Sequence, residues 1–147
     1  MRISDVVRRK GDTVVTIGSD ATVAELLELL AEHRIGAVVV SDGDGRVDGI
    51  VSERDVVLGL RKGGTSIQEQ RVAAIMTTEV TTCGLQDDVE SLARTMTERR
   101  VRHLPVVVDG RLAGIVSIGD IVKQRLDELQ GERDQLVDYV QGRPAGG

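Results

Sequence analysis

The chain has 147 residues, with 24 acidic and 19 basic side chains and a formal net charge of −5 at pH 7. Non-specific binding to nucleic acid or to an anionic membrane needs a basic surface, so this charge argues against both partners. The sequence has one tyrosine and neither phenylalanine nor tryptophan, so it lacks the aromatic residues on which single-stranded bases stack.

The cysteine content and the apolar stretches predict the cellular compartment of the protein. The only cysteine is Cys83, which excludes an internal disulfide and fits a reducing compartment. The first residues lack the apolar run of a signal peptide. No stretch reaches the 18 or so apolar residues that a membrane span needs. We therefore expect a cytoplasmic protein with no membrane partner.

Most of the sequence consists of two copies of one unit. Residues 16–40 align with residues 82–106 at an offset of 66. After a turn that is one residue shorter in the second copy, the segment "GIVSERD" at 49–55 returns as "GIVSIGD" at 114–120. A solenoid needs about three or more repeats. The two copies therefore predict a pseudo-symmetric pair.

The first copy predicts the element order β-α-β-β-α. A short strand over Val14–Ile17 is followed by a helix whose apolar residues recur at i, i+3, i+4, i+7 and i+8 from Val23,. Thr22 and Glu25 have the spacing of a capping box at the start of that helix. The continuous apolar run "AVVV" predicts a buried strand. An Asp- and Gly-rich turn, the strand "DGIVS" and a helix starting at "ERDVVLGL" complete the unit.

The second copy predicts the same elements. A strand over Val80–Cys83 precedes a helix that Asp88 can cap,. The strand "LPVVV" and the strand "AGIVS" are joined by Asp109–Gly110, a strong signal for a two-residue hairpin turn,. A helix beginning with "IGDIVKQRL" ends the unit.

Shorter segments flank the two copies. The segments "SDVVRR" at 4–9 and "RVAAIM" at 71–76 are predicted to be short helices in corresponding places, and the polar, glycine-containing stretch between the copies is predicted to be a linker or a flexible cap,. The C-terminal segment has apolar residues at helical spacing, interrupted by Gly131, and its last residues are expected to fray. We predict a first repeat with its N-terminal helix over 1–66, a linker over 67–74, a second repeat over 75–131 and a helical tail over 132–147.

The repeated segment contains the motif S-x-x-D, which has two interpretations. Ser52 and Ser117 each lie between a strand and a helix, so the serine and the aspartate three residues later can form a capping box. Alternatively, the amides at a helix N-terminus attract phosphate. The carboxylates of Asp55 and Asp120 can then accept both hydroxyls of a ribose. The two interpretations can hold together.

These motifs resemble the CBS (cystathionine-β-synthase) domain, whose tandem pairs are called Bateman modules. The segment "RVRHLPVVVDGRLAGIVSIGDIVKQRL" at 100–126 is a close match, and residues 35–60 match a little less well because Val39 stands where Pro105 does. The resemblance covers about residues 1–130. It implies an α/β (α+β) fold of two β-α-β-β-α units packed as a pseudo-two-fold pair, with two clefts between them.

The resemblance also implies a ligand and partners. The clefts of the family commonly bind AMP, ADP, ATP, NAD or S-adenosylmethionine, so an adenine nucleotide is expected as a regulatory ligand, with no catalytic cofactor. Bateman modules usually pair into a disc-like homodimer. A stand-alone module of this kind would signal to a downstream protein that the sequence does not identify.

Carried over position by position, the resemblance implies a set of ligand-binding residues. Asp55 and Asp120 would hold ribose, and Ser52 and Ser117 would contact phosphate or ribose. The strand starts would line the base pockets, through Thr16, Ile17, Ala37, Val38, Thr82, Cys83, His103, Leu104 and Pro105. Arg54 and Arg102 are candidate phosphate partners, because arginine pairs with phosphate oxygens in bidentate fashion. We expect the better site at the second copy, with Arg54 reaching across.

The sequence contains no recognisable catalytic set, and it predicts a non-enzyme. No group of cysteines and histidines has the spacing of a zinc site, and there is no Walker A motif. Cys83 aligns with Ile17, which favours a buried strand residue over a nucleophile. The leading alternative to a nucleotide sensor is a ligand-free interaction module that acts through its dimer surface and its C-terminal helix. An enzyme or a redox switch at Cys83, and then nucleic-acid binding, rank below it.

Overall fold

The computed structural model describes residues 1–11 and 14–142, in which the helices and strands follow the predicted order except for the first strand of the second copy. The first unit consists of β1 (Thr16–Ile17), α2 (Val23–His33), β2 (Ala37–Val40), β3 (Gly49–Ser52) and α3 (Glu53–Gly63); it is preceded by α1 (Ile3–Lys10) and followed by two 3₁₀ helices, Gly64–Glu69 and Val72–Ala74. The second unit consists of α4 (Val89–Arg99), β4 (His103–Val108), β5 (Arg111–Ser117) and α5 (Ile118–Val140). The predicted α/β fold with two repeated units is confirmed.

Each unit has a small sheet with the same register at the repeated segment. In the first unit β1 pairs in parallel with β2, and β2 pairs antiparallel with β3, which sets Ala37 opposite Ser52. In the second unit β4 and β5 are antiparallel, and His103 lies opposite Ser117. The start of one strand therefore lies beside the serine of each S-x-x-D motif.

The prediction of a strand over Val80–Cys83 is wrong. In this segment Cys83 alone pairs, through an isolated parallel bridge to Val106. The Cys83 amide donates to the Pro105 carbonyl at 3.0 Å, and the Val107 amide donates to the Cys83 carbonyl at 2.8 Å. These two bonds attach the segment at one point instead of along a ladder. In the first unit β1 is also shorter than predicted, because its parallel pairing with β2 extends over two residue pairs.

Aliphatic side chains form a separate core in each unit. In the first unit Val23, Leu26 and Leu30 of α2 pack on the strands. In the second unit Val89, Leu92 and Met96 of α4 take the equivalent places. Burial of each such side chain stabilises the fold by roughly 1.5–3 kcal/mol, so cores built without aromatic residues suffice for units of this size.

The segment that completes each core comes from an unexpected place in the chain. Ile3 and Val6 of α1 are buried in the core of the second unit, although α1 directly precedes the first. Ile67 and Val72, which follow α3, are buried in the core of the first unit. Apolar burial thus places α1 with the second repeat, not with the first as we expected, and gives core residues to the stretch 67–74 that we expected to be a linker. The boundaries between the repeats stay a prediction.

Backbone hydrogen bonds attach the two completing segments in the same way. The Ile3 amide donates to the Asp87 carbonyl at 2.9 Å, and the Val72 amide donates to the Ala21 carbonyl at 2.7 Å. Ala21 and Asp87 are equivalent at the offset of 66. The pseudo-symmetry of the repeats therefore extends to the segments that pack on them.

Helix α5 continues through Gly131 to Val140 without the interruption that we expected. A Cβ at Gly131 would contact nothing. A glycine inside an exposed helix costs about 1 kcal/mol relative to alanine, which a helix of 23 residues tolerates. Among the described residues, no helix is both long enough and apolar enough to span a membrane.

Candidate functional site

Both S-x-x-D motifs form capping boxes. At the start of α3 the Ser52 amide donates to Asp55 Oδ2 at 2.9 Å, and the Asp55 amide donates to Ser52 Oγ at 3.4 Å. At the start of α5 the Ser117 amide donates to Asp120 Oδ2 at 2.8 Å, and the Asp120 amide donates to Ser117 Oγ at 3.1 Å. The capping interpretation therefore holds for both copies, and it fixes each aspartate at the first turn of its helix.

A lysine from α1 binds the aspartate of the second copy. Lys10 Nζ lies 2.7 Å from Asp120 Oδ2 and donates to the Ile115 carbonyl at 2.9 Å. Partial burial alone would raise the pKa of Asp120, but the hydrogen bonds from Lys10 and Ser117, with the positive charge of Lys10, outweigh it and lower the pKa. Asp120 is therefore a half-buried carboxylate that is ionised at neutral pH.

A threonine takes the corresponding place at the first copy. Thr77 Oγ1 donates to Asp55 Oδ1 at 3.3 Å. The amide and the carbonyl of Thr77 both bond with the backbone of Ile50, at 2.8 and 2.9 Å. Ile50 and Ile115 are equivalent at the offset of 65. The completing segment thus presents a neutral hydroxyl to Asp55 and an ammonium group to Asp120, which makes the two copies chemically different.

A small basic cavity opens beside Asp120. Its volume is about 130 Å³, and it is lined by Val6, Arg9, Lys10, Asp120, Lys123 and Gln124. Arg9 donates to the buried amide oxygen of Gln124 at 2.8 Å and pairs with Asp127 at 2.8 Å, so its charge is directed to α5. Pockets for drug-sized ligands measure about 300–1,000 Å³. This cavity can hold a fragment such as a ribose or a phosphate.

A second, larger cavity lies where the two units meet. Its volume is about 380 Å³, and its walls come from both units, through Val14, Thr16, Ser41, Gly43, Gly45, Leu112 and Ala113. The Leu112 amide donates to the Gly45 carbonyl at 2.7 Å, which ties the β2–β3 turn to β5. Thr16 is the one sequence-predicted site residue on these walls.

His103 lies at the contact between the units, close to the charges around Asp120. A Cβ at Gly36 would lie 3.6 Å from the His103 ring and 3.8 Å from the Glu53 carboxyl carbon. Burial, with the positive charges of Lys10 and Arg102, lowers the pKa of His103, against the opposing effect of Asp120 and Glu53. His103 is therefore a neutral imidazole at physiological pH.

The sequence-predicted site residues fall into three groups in the structure. The half-buried group lies at the strand ends and helix starts and comprises Ser52, Asp55, His103, Ser117 and Asp120. The exposed group comprises Thr16, Arg54, Thr82 and Arg102. The buried group, whose side chains are inside the units, comprises Ile17, Ala37, Val38, Cys83, Leu104 and Pro105. Residues of the buried group have only backbone atoms to offer to a ligand.

Cys83 has none of the properties of a reactive thiol. Burial, with the nearby charge of Asp87, raises the pKa of its thiol to about 12. The thiolate is the reactive form, so the group is inert at neutral pH. In the described part of the chain, no three His, Cys, Asp or Glu side chains are placed so that they could hold a metal ion.

Sequence reasoning missed Lys10 and Thr77, the residues that contact the two aspartates. Each directly follows one of the two flanking segments, 4–9 and 71–76, whose equivalence the sequence does indicate. The sequence gives no signal that α1 packs on the second unit. A basic residue at the end of a helix is ordinarily assigned to favourable interaction with the helix dipole, and nothing in its spacing relates Lys10 to Asp120.

Comparison with known proteins identifies two matching regions. The family model described as the CBS domain matches residues 3–62 and 72–127. A mitochondrial CBS domain-containing protein of Arabidopsis thaliana is 34% identical over 95% of this chain and 72% of its own length. A crystal structure of a CBS-domain-containing protein from Agrobacterium tumefaciens is 45% identical, with a TM-score of 0.82, over 85% of this chain and 99% of that one.

One similar structure contains a nucleotide. It is a CBS domain protein from Pyrobaculum aerophilum complexed with AMP, 28% identical, with a TM-score of 0.72, covering 82% of this chain and 89% of that chain. The ligand belongs to that protein. It shows that a pair of this fold can accommodate an adenine nucleotide.

Proposed function

Since this chain belongs to the CBS domain family, with two CBS domains in tandem over most of its length, we propose that it binds an adenosine-containing nucleotide as a regulatory ligand. A similar protein of the family is complexed with AMP. The observation that carries the proposal for this chain is the combination of Asp120, a half-buried carboxylate, with Lys10 and Lys123 around one cavity.

The chemistry of the cavity matches the two polar parts of a nucleotide. A carboxylate accepts the adjacent 2′- and 3′-hydroxyls of a ribose, in hydrogen bonds that its charge strengthens. The ammonium groups of Lys10 and Lys123 and the N-terminal dipole of α5 attract a phosphate. A cavity of about 130 Å³ cannot enclose a whole nucleotide, so the base would lie outside it.

A matched pair of substitutions tests this site. AMP at 100 times its dissociation constant should add about 2.7 kcal/mol to the free energy of unfolding, which raises Tm by a few degrees for a chain of this size. We expect Asp120→Asn to abolish the shift and Asp55→Asn to retain it. Both variants should fold, since the side-chain oxygen of asparagine can still accept the hydrogen bond from the amide of the N-cap serine,. Loss in Asp55→Asn alone would move the site to the first copy. No shift with AMP, ADP, ATP, NAD or S-adenosylmethionine would contradict the function and favour a ligand-free module.

We infer that the ligand acts as a signal and not as a substrate. Neither Cys83 nor His103 is among the residues that line the 130 Å³ cavity, and the Cys83 thiol is buried with a raised pKa, so neither is placed to attack a ligand there. The expected readout is binding of a downstream protein. Incubation of AMP with the protein should therefore return unchanged AMP, as measured by chromatography of the nucleotide.

We further propose that two copies of the chain associate through α3 and α5. These helices expose apolar residues, among them Val57, which is 62% exposed, and its repeat equivalent Val122, which is 50% exposed. Leu60, Leu126 and Leu129 extend the same apolar surfaces. Exposed apolar residues on two helices that the pseudo-symmetry of the repeats relates suit a two-fold dimer.

Light scattering coupled to size-exclusion chromatography tests the dimer. We expect twice the chain mass of 15.8 kDa for the wild-type protein and a single chain mass for Val122→Asp. Val108→Asp, at an exposed apolar position of β4, is the control and should remain dimeric. A monomeric wild-type protein at micromolar concentration would contradict the assembly but not the nucleotide site.

A further inference from the structure

We propose that Lys10 is a specificity-determining residue that makes the Asp120 site select phosphorylated over unphosphorylated adenosine ligands. The inference rests on the proposed nucleotide site and names its ligand class more closely. It assigns to an N-terminal residue, 110 positions away from Asp120, the choice between a nucleotide and a nucleoside.

In the structure Lys10 occupies the place beside the Asp120 carboxylate that the ribose of a ligand would take. Its ammonium group donates to Asp120 Oδ2 at 2.7 Å and to the Ile115 carbonyl at 2.9 Å. The Asp120 carboxylate is also the acceptor for the ribose hydroxyls in the proposed function. The Lys10 and Asp120 side chains are 37% and 23% exposed, so water compensates only partly for a partner that is lost. A ribose must therefore compete with Lys10 for the carboxylate.

A neutral nucleoside and a charged nucleotide differ in how they affect this ion pair. A nucleoside that takes the carboxylate leaves the ammonium group without an anion, in a cavity that Arg9 and Lys123 also line. A nucleotide brings a phosphate to which the ammonium group can transfer, so that the charge-assisted bond is exchanged and not lost. Loss of the ion pair therefore opposes binding of the nucleoside. In the nucleotide complex the phosphate replaces Asp120 as the partner of Lys10.

The neighbouring cations do not share this role. Arg9 is held by Gln124 and Asp127 on α5, which also keeps α1 in place when Lys10 is replaced. Lys123 lines the cavity and adds positive charge from α5 itself. At the other copy Asp55 has the neutral hydroxyl of Thr77 as its neighbour, so that carboxylate carries no equivalent competitor.

The test compares dissociation constants for AMP and adenosine, measured by isothermal titration calorimetry on the full chain. We expect wild-type protein to prefer AMP. We expect Lys10→Met to bind adenosine more tightly and AMP more weakly, so that the preference falls by about tenfold or more, the usual effect of one charge-assisted hydrogen bond. Lys10→Gln should behave in the same way, and Lys10→Arg should retain the preference.

Lys123→Met is the matched control. It removes a positive charge from the same cavity without removing the competitor of Asp120, so AMP binding should weaken while adenosine binding stays unchanged. Adenosine affinity that does not rise in Lys10→Met or Lys10→Gln, in protein whose circular dichroism is unchanged, would overturn the role of Lys10 and leave the nucleotide site standing. Wild-type protein that binds neither AMP nor adenosine would overturn both.

Discussion

A Cβ at Gly49 would lie 2.9 Å from the backbone carbonyl oxygen of Thr77, and equally close to Met76 Sδ. Gly49 begins β3 at the point where the segment after the first unit crosses it, one residue before the paired backbones of Ile50 and Thr77. Its repeat equivalent, Gly114, lies under Val7 of α1, with a distance of 3.5 Å from an added Cβ. Because glycine has no Cβ, the segment that completes each unit can pack closely against the repeated segment at this position.

Alanine at the two glycines should have unequal effects. Gly49→Ala forces a Cβ against a backbone atom that cannot move without the strand, and overpacking of this kind costs about 1–3 kcal/mol. Gly114→Ala adds an ordinary contact to a side chain and should cost less than about 1 kcal/mol. Urea unfolding of both variants measures the difference. Equal losses would mean that the close approach at Gly49 is relieved by local adjustment.

Most elements of this fold were predictable because their signals are local. Helices α2 and α4 have apolar residues at helical spacing, and their predicted caps, Thr22 and Asp88, accept hydrogen bonds from the expected amides. The two serine caps lie where the repeated motif placed them. Each of these features depends on residues that are close together in the chain, so the sequence alone indicates them.

The packing partners were not predictable from the same signals. An apolar face indicates that a helix is buried, but any apolar surface of the right shape satisfies it. The sequence therefore placed α1 with the unit that follows it, whereas Ile3 and Val6 lie in the core of the second unit. Because α1 packs on the second unit, Lys10 was not among the predicted site residues, whereas Asp55 and Asp120 were identified from the repeated motif.

The position of His103 predicts a loss of stability in mild acid. Burial and the positive charges of Lys10 and Arg102 lower its pKa in the folded protein, so the unfolded chain binds the proton more readily. The free energy of unfolding should be at its full value above the ordinary histidine pKa of about 6.5. It should fall as the pH drops from there through the lowered folded-state pKa.

Urea unfolding of wild-type protein and His103→Gln at several pH values between 7.5 and 5, roughly the range in which histidine titrates, measures this effect. The variant lacks the titrating group, so its free energy of unfolding should change less across that interval. His33, exposed at the end of α2, supplies the control variant His33→Gln, which should keep the wild-type slope. A slope that persists in His103→Gln would assign the proton uptake to another group.

Cys83 should be unreactive until the protein unfolds. The residue is 6% exposed, and burial with the charge of Asp87 raises the pKa of its thiol to about 12, so both access and thiolate formation are suppressed. A thiol reagent at pH 8 should label it slowly in native protein and rapidly in denaturant. Rapid labelling of the native state would revive Cys83 as a redox-active group.

The two serine caps offer a way to separate the structural role of S-x-x-D from its role in binding. Removal of an N-cap hydroxyl costs about 1 kcal/mol, and Ser52 and Ser117 accept equivalent hydrogen bonds. Ser52→Ala and Ser117→Ala should therefore lower the free energy of unfolding by similar amounts. Ser52→Thr and Ser117→Thr should retain most of it, because threonine also caps helices.

The two serine substitutions should differ in their effect on AMP binding. Asp120 faces Lys10 and the basic cavity, and the Ser117 hydroxyl accepts a hydrogen bond from the Asp120 amide at 3.1 Å. Ser117→Ala removes this bond at the first turn of α5 and should weaken AMP binding through the orientation of Asp120. Ser52→Ala loosens the equivalent box at Asp55 and should leave AMP binding unchanged. Equal loss of stability with unequal loss of AMP affinity, measured by calorimetry, is the expected result. Equal losses of affinity would mean that both copies of the motif contribute to one ligand, and that the difference between Lys10 and Thr77 does not decide where the nucleotide binds.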